Sequence, residues 1–597
     1  MAGRAASTGR RLLPLALVVL AGLGLAWSLQ ERYHHRVLTL VLVWATMGLA
    51  WNIISGYGGQ LSFGHQAFFG IGAYTTVLLA VHAGLTPWIG MWVGAAAAVL
   101  AAALIGLPTF RLAGIYFALA TLAYPLILRI VMDFLGYQEV AIPMVRDHPA
   151  RHMQFADPRA YSLLALGVFA GTLGLSRWLE SSRLGYALRA LRENEQAAEA
   201  TGVDTYRSKM LAYLLSAAPA ALIGAVYAYA VLFVVTPEAV FGVLVIVQTL
   251  VVCLVGGAGS AWGPPLGAAL MVPISETLDA TLGDRFPGIQ GVVYGAALVL
   301  IMLFAPEGLY WRFRGLVAAR RPQPSVPART GAPAPASGLV GALARRGPGP
   351  GPLLEVRGVS KSFLGLHALQ DVSFTVGRGE ILGIIGPNGA GKTTLFNVLN
   401  GFLLPERGEV FYRGERITGL APHAVCRRGV GRTFQVVRAF PHLSVLENVM
   451  VGAFVREPAP PAARERARAA LAFVGLEPRA GAPAGGLTTL ELRLMELARC
   501  LATGPDLALL DEPLAGLSRD GIDVLVGLVR TLREGGVTVA IIEHTVQAVV
   551  RLADRLVVLD HGRRIAQGAP DDVVRNPAVI EAYLGTRWLR HAEGQRT

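Results

Sequence analysis

Residues 381–394 read ILGIIGPNGAGKTT, and this run decides the fold of the C-terminal half. Five apolar residues predict a buried parallel strand, the loop fits the phosphate-cradling pattern G-x-x-x-x-G-K-[ST], and the following LFNVL opens a helix. A strand that turns through glycines into a helix N-terminus leaves backbone N–H groups free to face an anion. Gly386, Asn388, Gly389, Ala390, Gly391 and Thr394 belong to that cradle. Lys392 is placed to meet the β- and γ-phosphates and Thr393 to hold Mg²⁺, so ATP and Mg²⁺ are the expected pair on an α/β P-loop NTPase domain.

A chain of 597 residues, 53% of them apolar, exceeds one ordinary domain. The apolar excess falls almost wholly before Phe304. Residues 12–29, 37–54, 67–81, 88–107, 115–132, 160–175, 211–235, 240–255, 261–274 and 289–304 read as membrane-spanning helices, about ten in all. Helices are the form open to them, because backbone groups in lipid must be satisfied internally. Arginines before the first span, between the sixth and seventh, and after the last fall on one side of the bilayer if that count holds. The positive-inside rule makes that side the cytoplasm. A cleaved signal peptide is the alternative for residues 12–29. A retained helix is preferred, because removing it would strand the later basic loops on the wrong side.

The formal net charge of +13 comes without a basic stripe interleaved with aromatics, so no nucleic-acid partner is expected. Cytoplasmic loops flanking the membrane account for most of it. Cys253, Cys426 and Cys500 are too scattered for a zinc site or a disulfide framework. The stretch RRPQPSVPARTGAPAPASG and its surroundings are too rich in proline, alanine and glycine to bury a core. The expected organisation is a transmembrane domain over 1–314, a linker over 315–352 and an ATP-binding domain over 353–597.

Beyond the linker, residues 507–510 read as an apolar strand that delivers Asp511 and Glu512. That order suits a metal-side carboxylate followed by a general base for water. Gln435 lies upstream in GRTFQ, and His544 ends a second apolar strand, VTVAIIEH.

These residues, in this order, resemble the nucleotide-binding domain of ABC transporters over nearly all of 353–585. The resemblance implies that Phe363 stacks on adenine, Gln435 senses Mg²⁺ and the membrane partner, and His544 is the switch histidine. It further implies that Asp511 is the metal-side acid, Glu512 the catalytic base, and residues 515–518 the loop at a dimer seam. RTFQ, FPHLSVLENVMVG, LARC and NPAVIEAYLG resemble, more narrowly, the ATPase of branched-chain amino acid importers. One departure stands out: where the family carries a signature close to LSGGQ, residues 487–491 read LTTLE. Thr488 still offers a hydroxyl to the γ-phosphate of an opposing subunit, but Leu490 disfavours the positive φ that glycine permits. The expectation is a composite ATP site weaker than its partner's.

The membrane half resembles the permease subunits of the same importers. GYGGQLSFGHQAFFG (56–70) places Gln60, Ser62, His65 and Gln66 at membrane depth. Polar groups there need a reason, either a solute or gating role at a broken helix or close helix packing through glycine. LVGGAGSAWGPPLGAAL (254–270) and YFALATLAY (116–124) carry the same likeness. LGYALRALRENEQAAEATGVDTYRSK (184–209) reads as a charged, alanine-rich helix ending at Gly202, resembling the coupling segment that presses into an ATPase groove. Its candidate contacts are Arg189, Arg192, Glu193 and Glu195. A TGG-type motif of these permeases is replaced by GYQEVAIPMVRDHPARHMQF, which leaves the solute open among branched-chain amino acids, amides, urea and small carboxylates.

The resemblance implies a permease and ATPase fusion, multi-pass in a bacterial-type inner membrane with the ATPase domain cytoplasmic. Its implied partners are a second permease/ATPase half, a paralogue before an identical copy, and an extracytoplasmic solute-binding protein. An ABC exporter half-transporter and a membrane-tethered regulatory ATPase are the alternatives.

Overall fold

The computed structural model describes residues 2–112, 114–145, 147–286, 288–319, 351–544 and 546–584. Most of the proline-rich linker, together with Arg146, Arg320 and Arg321, lies outside the described residues. The chain divides into two compact units, residues 1–192 with 206–324, and residues 193–205 with 325–597.

The first unit is helical. The ten segments read as spans fall largely on helices, from Ala2–Ser28 to Ile289–Phe304, although 211–235 ends in the short strand Val234–Val235 and 240–255 is split at Gly242 between Pro237–Phe241 and Val243–Gly256. Among the described residues, eight helices are long and apolar enough to cross a bilayer, beginning with 32–57 and ending with 289–316. Two apolar stretches are interrupted. The helix Arg32–Trp51 passes into a π-helical turn, Asn52–Tyr57, before the chain restarts as His65–Ala83. Between Val243–Gly256 and Gly263–Leu282 lies a second glycine-rich break. Asn52 joins the two breaks, because its amide donates to the Ser260 carbonyl at 3.0 Å and accepts from the Gly259 N–H at 2.7 Å.

His65 is fully buried between the hydroxyls of Ser62 (3.0 Å) and Ser216 (3.1 Å). A Cβ on Gly64 would lie 2.4 Å from the Thr121 carbonyl, and one on Gly70 would lie 2.2 Å from the Phe241 ring. Gly64 and Gly70 thus serve close packing, and Ser62 and His65 brace the break, the pattern by which membrane helices tolerate freed backbone groups.

In the second unit the strand Ile381–Ile385 is wholly buried, as its five apolar residues require. It sits inside a six-stranded sheet ordered 563–568, 555–560, 381–385, 538–542, 507–511, 430–432, parallel except at the first pair. A second, antiparallel sheet (366–376, 354–363, 407–412, 415–416) packs with it over one core containing Leu382, Ile384, Phe396, Leu507 and Ile542. Both strands read from 507–510 and 537–544 are present, as Leu507–Asp511 and Thr538–Ile542.

Candidate nucleotide site

In register, Ile542 lies opposite both Asp511 and Ile384. The carboxyl ends of three neighbouring parallel strands therefore release the phosphate loop, Asp511-Glu512 and Glu543-His544 along one edge, where open α/β sheets bind ligands. A cavity of about 630 Å³ opens there, lined by Phe363, residues 388–394, Gln435, Glu512 and His544 among others. Gly386 begins the loop, and Lys392 starts the helix Lys392–Leu399 behind the N-cap Gly391.

The Lys392 ammonium donates to the carbonyls of Gly386 (2.7 Å) and Pro387 (2.9 Å), and burial lowers its pKa. Glu512 is 5% exposed and holds φ +46°, a left-handed conformation that costs a branched or long side chain on the order of 1–3 kcal/mol. Three bonds hold it there. Its N–H donates to the Ile542 carbonyl at 2.9 Å, the Gln435 amide donates to Oε2 at 2.9 Å, and His544 Nε2 pairs with Oε1. Glu512, expected as the base, Gln435, expected to sense Mg²⁺ and the membrane partner, and His544, expected as the switch histidine, thus form one cluster facing the phosphate loop.

Asp511 lies on an adjoining cavity of about 300 Å³ with Thr393 and Gln435. Burial raises its pKa, while the neighbouring Arg432 guanidinium, 3.2 Å away, opposes that rise. Asp511 Oδ1 is buried without a hydrogen-bond partner among the described residues. Hydroxyl, amide and carboxylate oxygens around an orphaned carboxylate oxygen make a donor set that fits a hard divalent cation.

Sequence reasoning missed the groups that hold Gln435 in place. From the helix Thr489–Ala502, Arg493 donates to the carbonyls of Phe434 (3.0 Å) and Gln435 (2.7 Å), and Arg499 donates to that of Arg438 (2.8 Å). Between them Glu496, 2% exposed, lies 3.5 Å from Arg499 and accepts from the Phe434 N–H at 3.3 Å. Glu543 was missed as well. It is 2% exposed, accepts the Leu514 N–H at 2.7 Å at the head of the loop 515–518, and burial pushes its pKa up to about 7.

Thr488 is not among the residues lining either cavity. It caps the helix Thr489–Ala502 in a reciprocal box: its hydroxyl accepts the Glu491 N–H at 3.3 Å, while Glu491 accepts the Thr488 N–H at 2.9 Å. Leu490 sits in the first helical turn and is absent from the positive-φ residues. The feared conformational penalty therefore does not arise. What LTTLE changes is charge, since Glu491 sets a carboxylate at the helix N-terminus.

The segment read as one charged helix is broken. Asn194, at φ −158°, ends Arg183–Glu193 and caps Glu195–Ala200 by accepting the Ala197 N–H at 2.8 Å. Within the second unit, Glu193 meets His442 at 2.9 Å, Gln196 accepts from Arg438, His423 lies 3.6 Å from both Glu199 and Asp204, and Arg427 donates to the Gly202 carbonyl at 3.2 Å. Among the four anticipated contacts, Glu193 meets His442 in this unit. Arg192 and Arg189 donate to the carbonyls of Gly56 and Glu180 in the first unit.

Known families divide the chain in the same way. The family described as branched-chain amino acid transport system / permease component matches residues 33–302, ABC transporter matches 369–515, and branched-chain amino acid ATP-binding cassette transporter matches 563–588. The high-affinity branched-chain amino acid transport ATP-binding protein BraF of Pseudomonas aeruginosa is 40% identical over 254 residues, covering 39% of this chain and 98% of that protein. The corresponding protein LivG of Escherichia coli K12 is 39% identical over 250 residues, with the same coverage. A crystal structure of an ATP-binding cassette of an ABC transporter in its ADP conformation is 32% identical over 39% of this chain and 99% of its own, with a TM-score of 0.37. With a matching permease region ahead of a cassette that spans nearly the whole of these relatives, the chain belongs to the branched-chain amino acid ABC transporter family as a permease fused to its ATP-binding domain.

Proposed function

We propose that the chain is the permease and ATPase component of an ATP-driven importer for branched-chain amino acids or closely related small solutes. The observation that carries the coupling half of this reading is the place of residues 193–205. They are continuous in sequence with membrane helices on both sides, yet they pack within the ATP-binding unit through Glu193, Gln196 and Gly202. A rearrangement of the nucleotide site that moves residues 435–442 therefore pulls directly on a segment joined to two membrane helices.

In the chemistry proposed here, Phe363 packs against the adenine ring and residues 386–394 wrap the phosphates, with Lys392 leaving the loop carbonyls for the β- and γ-oxygens. Thr393, Gln435 and Asp511 would hold Mg²⁺, which offsets charge on the phosphate oxygens. Glu512 accepts a proton from a water in line with the γ-phosphorus. The water oxygen bonds to that phosphorus as the bond to the bridging oxygen breaks and ADP departs. His544 and Gln435, each bonded to one Glu512 oxygen, keep the carboxylate aimed despite its strained backbone. Thr488 serves the site of an opposing ATPase domain, which requires a second permease/ATPase half. An extracytoplasmic binding protein supplies solute, and the ATP-binding domain faces the cytoplasm.

The test is uptake of labelled leucine into vesicles that carry the assembled transporter with ATP on the cassette side. Inward, ATP-dependent accumulation is expected. Outward movement would favour an exporter, and hydrolysis with no movement of any solute would favour a regulatory ATPase.

A further inference from the structure

Behind the phosphate loop, the cavity of about 300 Å³ is lined by Thr393, Asn397, Arg432, Gln435 and Asp511 together with Gln196 of the segment 193–205. Arg432, 5% exposed, is the group at its centre. One guanidinium nitrogen donates to Asp511 Oδ2 at 3.2 Å and another to Asn397 Oδ1 at 2.6 Å, while Nε has no partner among the described residues. The guanidinium carbon lies 5.8 Å from the centre of the Phe402 ring and 5.1 Å from that of Phe434. Phe434 carries a second guanidinium, that of Arg438, at 4.5 Å, and Arg438 donates to Gln196.

A planar guanidinium that is buried beside two rings and bonded to two side chains has little freedom, so it fixes the carboxylate it touches more firmly than a lysine would. It anchors one oxygen of Asp511 and leaves the other unpartnered. We propose that Arg432 is the positioning residue for Asp511, orienting it toward a divalent cation, and that Arg438 and Phe434 tie this placement to Gln196 of the coupling segment. The proposal rests on reading Asp511 as the metal-side acid.

The experiment uses the full chain in lipid nanodiscs and Mn²⁺ as the metal probe. Mn²⁺ binding is read from its paramagnetic resonance signal with a non-hydrolysable ATP analogue present. Binding of a fluorescent ATP analogue in EDTA reads the nucleotide site without metal. Arg432→Gln should weaken Mn²⁺ binding at least tenfold and change metal-free nucleotide binding less than twofold, and Arg432→Lys should recover less than half of the lost affinity on a logarithmic scale. Arg438→Gln should weaken Mn²⁺ binding two- to fivefold alone and add nothing to Arg432→Gln. A merely structural role would lower both affinities together. The positioning role is overturned by Mn²⁺ affinity within twofold of the parent in folded Arg432→Gln, or by loss of both affinities in parallel. Additive effects of Arg438→Gln and Arg432→Gln overturn the link to Gln196. If Arg432→Gln does not fold, unchanged Mn²⁺ affinity in both Arg432→Lys and Arg438→Gln overturns the proposal. Asp511→Asn tests the underlying reading separately: Mn²⁺ binding unaffected by that change removes Asp511 from the metal site.

Discussion

Replacing Glu543 with Gln isolates the effect of one buried proton. The carboxyl is 2% exposed, is pushed up to about 7 chiefly by burial and further by the Glu512 charge, and is pulled back by the Leu514 and His544 N–H groups and by Arg493. Its folded pKa is raised, so between about 4.5 and 7 the folded site holds a proton that the opened site releases. Stability contributed by this group is therefore present below that window and declines as pH rises through it. At about 1.4 kcal/mol per pH unit, the whole interval corresponds to ~3 kcal/mol. Gln keeps an acceptor for the Leu514 N–H but cannot ionise. Hydrogen exchange of peptides containing Leu514, corrected for the intrinsic rate, reads the opening free energy of the loop that follows. At pH 5 the variant should be no more than about fourfold better protected than the parent, and at pH 8 it should be on the order of 100-fold better protected. A difference independent of pH, or a parent better protected at pH 8, would refute the reasoning.

Further outcomes follow from the same geometry. Arg499→Met leaves Glu496 with one cation fewer in a fully buried cluster, and a loss of about 3–5 kcal/mol is expected, read as a fall in the melting temperature of the ATP-binding domain. Gly202 sits at φ +87°, where a Cβ would meet Val455 at 2.5 Å. Gly202→Val should cut uptake severalfold more than ATP hydrolysis, and equal losses in both would count against a coupling role for the segment. Glu491→Gln keeps the cap of Thr488 but removes a negative charge from the helix N-terminus, so assembled transporter should hydrolyse ATP faster at low ionic strength, by about two- to fivefold. An unchanged rate would mean that the carboxylate does not oppose the phosphate across the seam.

The phosphate loop, Asp511-Glu512 and His544 were legible because each motif is local: an apolar strand followed at once by the residues it delivers. The spans were legible for the same reason, since lipid imposes a continuous apolar run. Arg432, Arg493, Glu496 and Arg499 were not. The partners of Arg432 lie 35 and 79 residues away, and Arg493, Glu496 and Arg499, spaced three apart on one helix, reach backbone groups 58 to 62 residues away that no local spacing announces. Glu543 gave a faint signal, a carboxylate at the very end of an apolar strand. The break at Asn194 carries a residue type that caps helices, set within an alanine-rich composition that favours helix, and T-x-x-E at 488–491 spells a capping box where the family carries glycines.

The central claim is that hydrolysis by Glu512 drives solute across the membrane. Glu512→Gln in the assembled transporter, reconstituted in vesicles, tests it most directly, with nucleotide binding, phosphate release and solute accumulation followed together. The account predicts ATP binding within a few-fold of the parent, with phosphate release and accumulation both reduced by at least about 100-fold, the scale of a lost general base. Accumulation that persists while phosphate release is abolished would contradict it.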